Sequence, residues 1–94
     1  MRKAFILIVI SSVLFACKKE KSINGIVKDY GPIELDGCGW VIDVNGEIYK
    51  PTNLESQYQV HDLQINFDYQ NLNTNAHCGL NADAFEEIEI LEIN

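Results

Sequence analysis

Residues 40–51 read WVIDVNGEIYKP and decide the fold more than any other stretch of the chain. Two runs rich in β-branched and aromatic residues flank the dipeptide Asn45-Gly46. A two-residue type I′ turn needs positive φ at both central positions, and Asn followed by Gly tolerates this well. The stretch therefore predicts a β-hairpin that ends at Pro51, which cannot donate to a sheet.

The turn also predicts which side chains pair across this hairpin. With Asn-Gly at the centre, Val44 lies opposite Glu47 and Ile42 lies opposite Tyr49. Trp40, Ile42 and Tyr49 then share one face, and we expect that face to line the core.

Further strand patterns lie on both sides of the hairpin. Residues 61–70 alternate between apolar and polar without a break, which predicts a strand with one buried face. Residues 85–93 alternate too, but Ile90-Leu91 breaks the phase and indicates either a bulge or a strand that is buried on both sides near its end. An earlier strand is expected at 23–30, with Gly25 where a bulge or a tight bend would be tolerated.

Helical patterns are almost absent. No stretch shows a helical period over ten or more residues. The helical segments expected are a short turn near residues 54–59, or one around residues 82–85 with Asn81 as a cap. Residues 23–94 are therefore predicted to form one all-β domain, a Greek-key or meander barrel of about five strands.

The N-terminal segment has the layout of a secretory signal peptide. Residues 1–16 read MRKAFILIVISSVLFA, in which two cations precede a run of mostly apolar residues. A helix that spans a bilayer needs about 20 apolar residues, so this shorter run is interpreted as a targeting segment.

The sequence Leu14-Phe15-Ala16-Cys17 resembles the bacterial lipobox, in which an apolar and a small residue precede an obligate cysteine. In that family the chain is cleaved before the cysteine, whose thiol receives a diacylglycerol and whose new amino group is acylated, for example with palmitate. The resemblance implies lipid attachment at Cys17, a lipidated tether over residues 17–22 and a membrane as partner, since several acyl chains anchor firmly. An ordinary signal peptide with a coincidental cysteine is the alternative.

Charge restricts the classes of partner. Removing residues 1–16 leaves five cationic and fourteen acidic side chains, a formal charge of −9. Nucleic acid is therefore not an expected partner, because its binding depends on neutralising phosphates. A basic envelope protein or a divalent cation would suit this surface better.

Two cysteines, Cys38 and Cys78, remain after Cys17. An even pair in a small exported domain most simply forms a disulfide, here expected to close a loop of about 41 residues. Two alternatives stay open, namely free reactive thiols and a metal site with His77, to which His61 could contribute. No typical zinc-ligand spacing supports the metal site.

The order of these motifs resembles small lipoproteins of Bacteroidota-type bacteria that carry an OB-like barrel. The quoted features are a bent first strand, Cys-Gly-Trp before the Asn-Gly hairpin, a Tyr-x-Pro exit, the long alternating strand, and Cys-Gly before a final Ile-Glu-Ile strand. The resemblance implies an OB-like β-barrel and a location in the cell envelope, at the periplasmic or surface face of the outer membrane. It implies no activity.

No motif predicts catalysis. Ser56 lies in no nucleophile motif, and Glu86 and Glu87 would point to opposite faces of a strand. Asp43–Glu47 superficially resembles part of a calcium loop, but a hairpin turn explains the same residues. We therefore expect no catalytic residue, metal site or cofactor, and a non-catalytic binding or accessory role. The alternative is an acidic inhibitor of a basic secreted enzyme such as lysozyme; weak calcium binding by the acidic surface is a third interpretation.

Overall fold

The computed structural model describes residues 19–32, 37–78 and 84–94. The expected signal peptide 1–16 and the expected lipid attachment residue Cys17 lie outside these ranges. In the described ranges no helix is long and apolar enough to span a bilayer. The elements are β1 Lys19–Asp29, β2 Trp40–Val44, β3 Glu47–Pro51, a 3₁₀ turn Ser56–Tyr58, β4 Gln64–His77 and β5 Ala84–Ile93.

The strands close into a barrel in the order β1-β2-β3-β5-β4, with β4 pairing back onto β1. β3 and β5 run parallel, while the other neighbouring strands run antiparallel. The 3₁₀ turn lies in the connection from β3 to β4, near the centre of the helical turn predicted at 54–59. The alternative turn around residues 82–85 is wrong where it is described, since Ala84 and Phe85 pair with β4 as part of β5. The all-β, OB-like barrel expected from the sequence is thus confirmed.

The β2–β3 hairpin has the predicted turn. Asn45 and Gly46 take φ angles of 54° and 93°, as a type I′ turn requires. Its register is the predicted one, with Ile42 opposite Tyr49 and Val44 opposite Glu47.

The interior is built mainly on β4. This strand begins at Gln64 rather than at residue 61, because His61 and Asp62 form a turn in which Asp62 takes a φ of 67°. It continues past the expected end at residue 70 to His77. Its inward side chains alternate as expected, and Trp40 and Tyr49 of the hairpin pack partly buried against them. The buried core consists of Val27, Ile42, Ile65, Phe67, Tyr69, Ile88 and Ile90.

Gly25 is a point of close packing rather than a bend. A Cβ atom added there would lie 2.6 Å from Ile42 Cγ2 and 3.0 Å from Phe67 Cε1. The absence of a side chain at Gly25 therefore lets the large core side chains approach β1.

The N-terminal half of β1 corrects the expected tether. Residues 19–22 lie in the strand, and Lys19 and Glu20 pair with Gln70 and Tyr69. The register shifts between Glu20 and Ile23, which places the β1 irregularity before Gly25. A tether is not formed here because the extended β4 offers backbone partners that these polar residues can use.

The bulge predicted at Ile90-Leu91 is confirmed. Glu92 lies opposite Asp68 and Ile90 lies opposite Tyr69, so Leu91 is an extra residue in β5. The Leu91 side chain is consequently turned outward and is 43% exposed.

Candidate functional site

The cysteine pair forms the predicted disulfide. Cys38 and Cys78 are bonded, with their Cα atoms 5.1 Å apart and 40 positions apart in sequence. This pairing replaces the alternatives of free thiols and of a metal site that uses these sulfur atoms. It joins the β1–β2 loop to the start of the β4–β5 loop, the two loops that flank the ligand face of OB-folds.

The described part of the β1–β2 loop is itself a tight extension of the hairpin. Tyr30 N–H donates to the Gly39 carbonyl at 2.8 Å, and Gly39 N–H donates to the Gly31 carbonyl at 2.8 Å. Gly37 packs directly on the backbone of Gly31, where any side chain would overlap it. Gly39 takes a φ of 74°, a backbone conformation that glycine adopts more readily than other residues.

The outer face of β2 and β3 does not resemble an open platform for nucleic acid. Val41 alternates onto this face, yet it is fully buried. Lys50 on β3 is half-buried, and its burial lowers the pKa of the ammonium group below the usual 10.5, while nearby Glu87 acts in the opposite direction. At one side of the face Tyr30 meets Phe85 edge-on, with ring centroids 6.0 Å apart.

The histidines have structural contacts. His61 Nδ1 accepts a hydrogen bond from Asp29 N–H at 3.0 Å, and its Nε2 lies 3.6 Å from Asp62 Oδ2. His77 is exposed at the end of β4. Across the described ranges no group of three or more His, Cys, Asp or Glu residues could hold a metal ion.

The stretch that resembles a calcium loop is a turn. Asp43 Oδ1 accepts a hydrogen bond from Gly46 N–H at 2.8 Å. That carboxylate oxygen closes the hairpin instead of facing an ion, and the turn geometry accounts for its presence.

One ion pair fastens β1 to the turn that precedes β4. Lys28 Nζ lies 2.6 Å from Asp62 Oδ1. This hydrogen bond raises the pKa of Lys28 and lowers the pKa of Asp62 relative to their usual values. Lys28 is thereby largely neutralised by its partner, so it adds little positive potential to the surface.

The acidic surface is the set Glu55, Glu87, Glu89 and Glu92, three of which lie on β5. Glu87 and Glu89 alternate with the buried Ile88 and Ile90 and therefore face outward. Glu92 lies directly opposite Asp68 on β4. Like charges directly opposite in a sheet repel each other, so Glu92 and Asp68 place two negative charges side by side on this part of the barrel.

The β5 groove, a cavity of about 470 Å³, opens beside this surface. Its walls are Asn53, Glu55 and Tyr58 on one side and Ile90–Ile93 on the other. The groove was not predicted from the sequence, because it depends on the course of the chain after β3. A second groove, of about 550 Å³, lies on the opposite strands and is lined by residues 24–26, 43, 45–46 and 64–66.

Asn53 is the residue that defines the end of the groove. Its side-chain Nδ2 donates to the Ile90 carbonyl at 2.8 Å, and its Oδ1 accepts from Ile90 N–H at 2.8 Å. The side-chain amide of Asn53 thereby makes the two hydrogen bonds that the backbone of one more β3 residue would make. No sequence pattern marks Asn53, since it reads as an ordinary loop residue after Pro51.

Comparisons with known proteins add no relatives. No protein-family model matches the chain, and no curated protein or solved structure is significantly similar to it.

Proposed function

We propose that this chain is a lipid-anchored binding module of the bacterial cell envelope, without catalytic activity of its own. Cys17 carries the lipid: its thiolate displaces the phosphate headgroup of a phospholipid to form a diacylglyceryl thioether. Water hydrolyses the peptide bond before Cys17, and the freed amino group takes an acyl group from a second phospholipid, which leaves as a lysophospholipid. The order of cations, apolar run and small residue before Cys17 supports this anchor. Because β1 begins at Lys19, the barrel would sit close to the membrane surface.

The acidic surface is the observation that carries the binding role. Of the four cations in the described strands, Lys28 is paired with Asp62 and Lys50 is half-buried, while Lys19 and Lys21 are exposed at the start of β1. The carboxylates of Glu87, Glu89 and Glu92 face outward from β5. With fourteen acidic and five cationic side chains in the expected mature chain, the surface favours a basic protein partner, which it would attract from a distance.

The second candidate function is inhibition of a basic secreted enzyme, such as a lysozyme. It is favoured by the formal charge of −9 that the expected mature chain would carry. An inhibitor and an accessory subunit would use the same electrostatic attraction, but only an inhibitor would cover the partner's active site.

Binding is tested by a pull-down of lysozyme with the full-length protein in detergent at low and at moderate salt. We expect retention at low salt that weakens as salt is added, since screening shortens the reach of surface charges. An acidic protein of similar size serves as the control. Equal retention of both proteins, or retention of neither, would contradict the proposal, while a lysozyme assay separates inhibition from simple binding.

A further inference from the structure

We propose that the β5 groove binds an extended, cationic segment of the partner by adding it as a strand to the free edge of β5. This inference rests on the proposed function, since it assigns the docking site of the basic partner. The proposed docking site combines an open strand edge, an exposed apolar side chain and flanking carboxylates.

The strand edge is open because β3 stops short. The pairing of β3 with β5 ends at Pro51 opposite Ile88, and Thr52 N–H adds one more bond to the Ile88 carbonyl at 3.0 Å. The chain then turns away into the 3₁₀ turn. Among the described strands, none pairs with Leu91–Ile93 on this side.

Asn53 shows that this edge accepts a strand-like partner. Its amide supplies one donor and one acceptor to the backbone of Ile90, as a neighbouring strand would. The backbone of a bound peptide would continue the same row of hydrogen bonds along the groove. Exposed strand edges are the places where proteins recruit extended peptides.

The side chains around the edge select the occupant. Glu55 and Glu92 stand on opposite walls of the groove, and both carboxylates are exposed. Between them Leu91 offers an apolar contact at 43% exposure. Lys or Arg side chains of an extended segment would meet the carboxylates, whereas a second copy of this chain would bring its own acidic edge against them.

The length of the edge limits the segment. Three residues, Leu91–Ile93, span about 10 Å at a rise of about 3.3 Å per residue. Three or four partner residues therefore fit the groove, and we expect weak binding of an isolated peptide, with Kd of about 0.1–1 mM.

The test uses an octapeptide of alternating Lys and Thr, blocked at both ends, added to the ¹⁵N-labelled full-length protein in detergent micelles. We expect amide shifts centred on Leu91–Ile93 and Tyr58. A matched peptide that is N-methylated at alternate residues keeps the charges but loses backbone donors, and it should bind at least tenfold more weakly.

Two exposed glutamates provide the matched variants. Glu92→Lys should weaken peptide binding about fivefold, because it replaces one surface attraction by one repulsion. Glu47→Lys makes the same charge change at the distant hairpin turn and should leave Kd within about twofold.

The outcomes separate the groove from the proposed function. If both peptides bind equally and both variants weaken binding equally, the attraction is diffuse and the groove assignment is overturned, although a retained lysozyme would leave the function standing. Self-association through β5, detected as the same amide shifts on raising protein concentration without peptide, would also overturn it. If the protein retains lysozyme but the peptide shifts no amide, the site is wrong; if neither binds, the function fails as well.

Discussion

The disulfide is expected to supply a large part of the stability of this barrel. Replacing Cys38 and Cys78 together by Ala removes a cross-link between residues 40 positions apart. In the chain-entropy account, a loop of this length contributes about 4 kcal/mol, because the link restricts the unfolded chain. Domains of this size have total stabilities of about 5–15 kcal/mol, so the double variant should be close to marginal at 37 °C.

Urea unfolding measures this loss directly. The oxidised protein should unfold with a midpoint well above that of the double variant, and the slope of free energy against urea should increase when the link is absent, as the unfolded chain expands. The reduced wild-type protein is the control, since it lacks the bond but keeps both side chains. A loss of less than about 1 kcal/mol in both cases, or free alkylation of both thiols without reductant, would refute the reasoning.

Three further changes test the packing and the polar contacts. Gly25→Ala should destabilise the barrel by about 1–3 kcal/mol in thermal or urea unfolding, since the new Cβ would lie 2.6 Å from Ile42 Cγ2, and an unchanged midpoint would contradict that packing. Asn53→Ala should cost about 1–2 kcal/mol and speed amide exchange at the neighbouring β5 backbone, because two hydrogen bonds are lost; unaltered exchange would contradict its strand-like role. Asp62→Asn should lower stability near neutral pH, since the ion pair lowers the pKa of Asp62 and raises that of Lys28. The ion pair stabilises the fold at pH values above the unfolded pKa of the aspartate and below that of the lysine. The difference in stability from wild type should therefore shrink as the pH falls below the usual Asp pKa of about 4 and Asp62 becomes protonated, and a constant difference would contradict the ion pair.

The features of the fold that could be predicted are those that short sequence patterns determine. Asn45-Gly46 fixed a turn and thereby a register, because few residue pairs tolerate two successive positive φ angles. The apolar alternation of β4 and the phase break at Ile90-Leu91 were equally local signals. The disulfide followed from the even pair of cysteines that remains in a small chain expected to be exported.

The ends of β1 and β4 could not be predicted from such patterns. Residues 19–22 and 71–77 are mostly polar, with no alternation to mark a buried face. Both segments are strands because their backbone groups pair with neighbouring strands of the barrel. This pairing exists only in the assembled sheet. Pairing, rather than hydrophobic pattern, extends β1 and β4 beyond their predicted limits.

The candidate site could not be predicted from the sequence for a related reason. The acidic composition of the chain was evident from the sequence. The position of acidic side chains beside an open edge of β5 depends on where β3 leaves the sheet. Asn53 ends that pairing with a side-chain amide, and a single Asn after a proline carries no distinctive sequence signal.

The lipid anchor can be detected by mass spectrometry of the mature protein from native cells. We expect an N-terminal peptide that begins at Cys17 and carries a diacylglyceryl thioether, with an acyl group on its amino nitrogen. Cys17→Ser should abolish this modification and release the barrel from the membrane fraction. A chain from native membranes that begins at Met1, or an unmodified Cys17 thiol, would contradict the account.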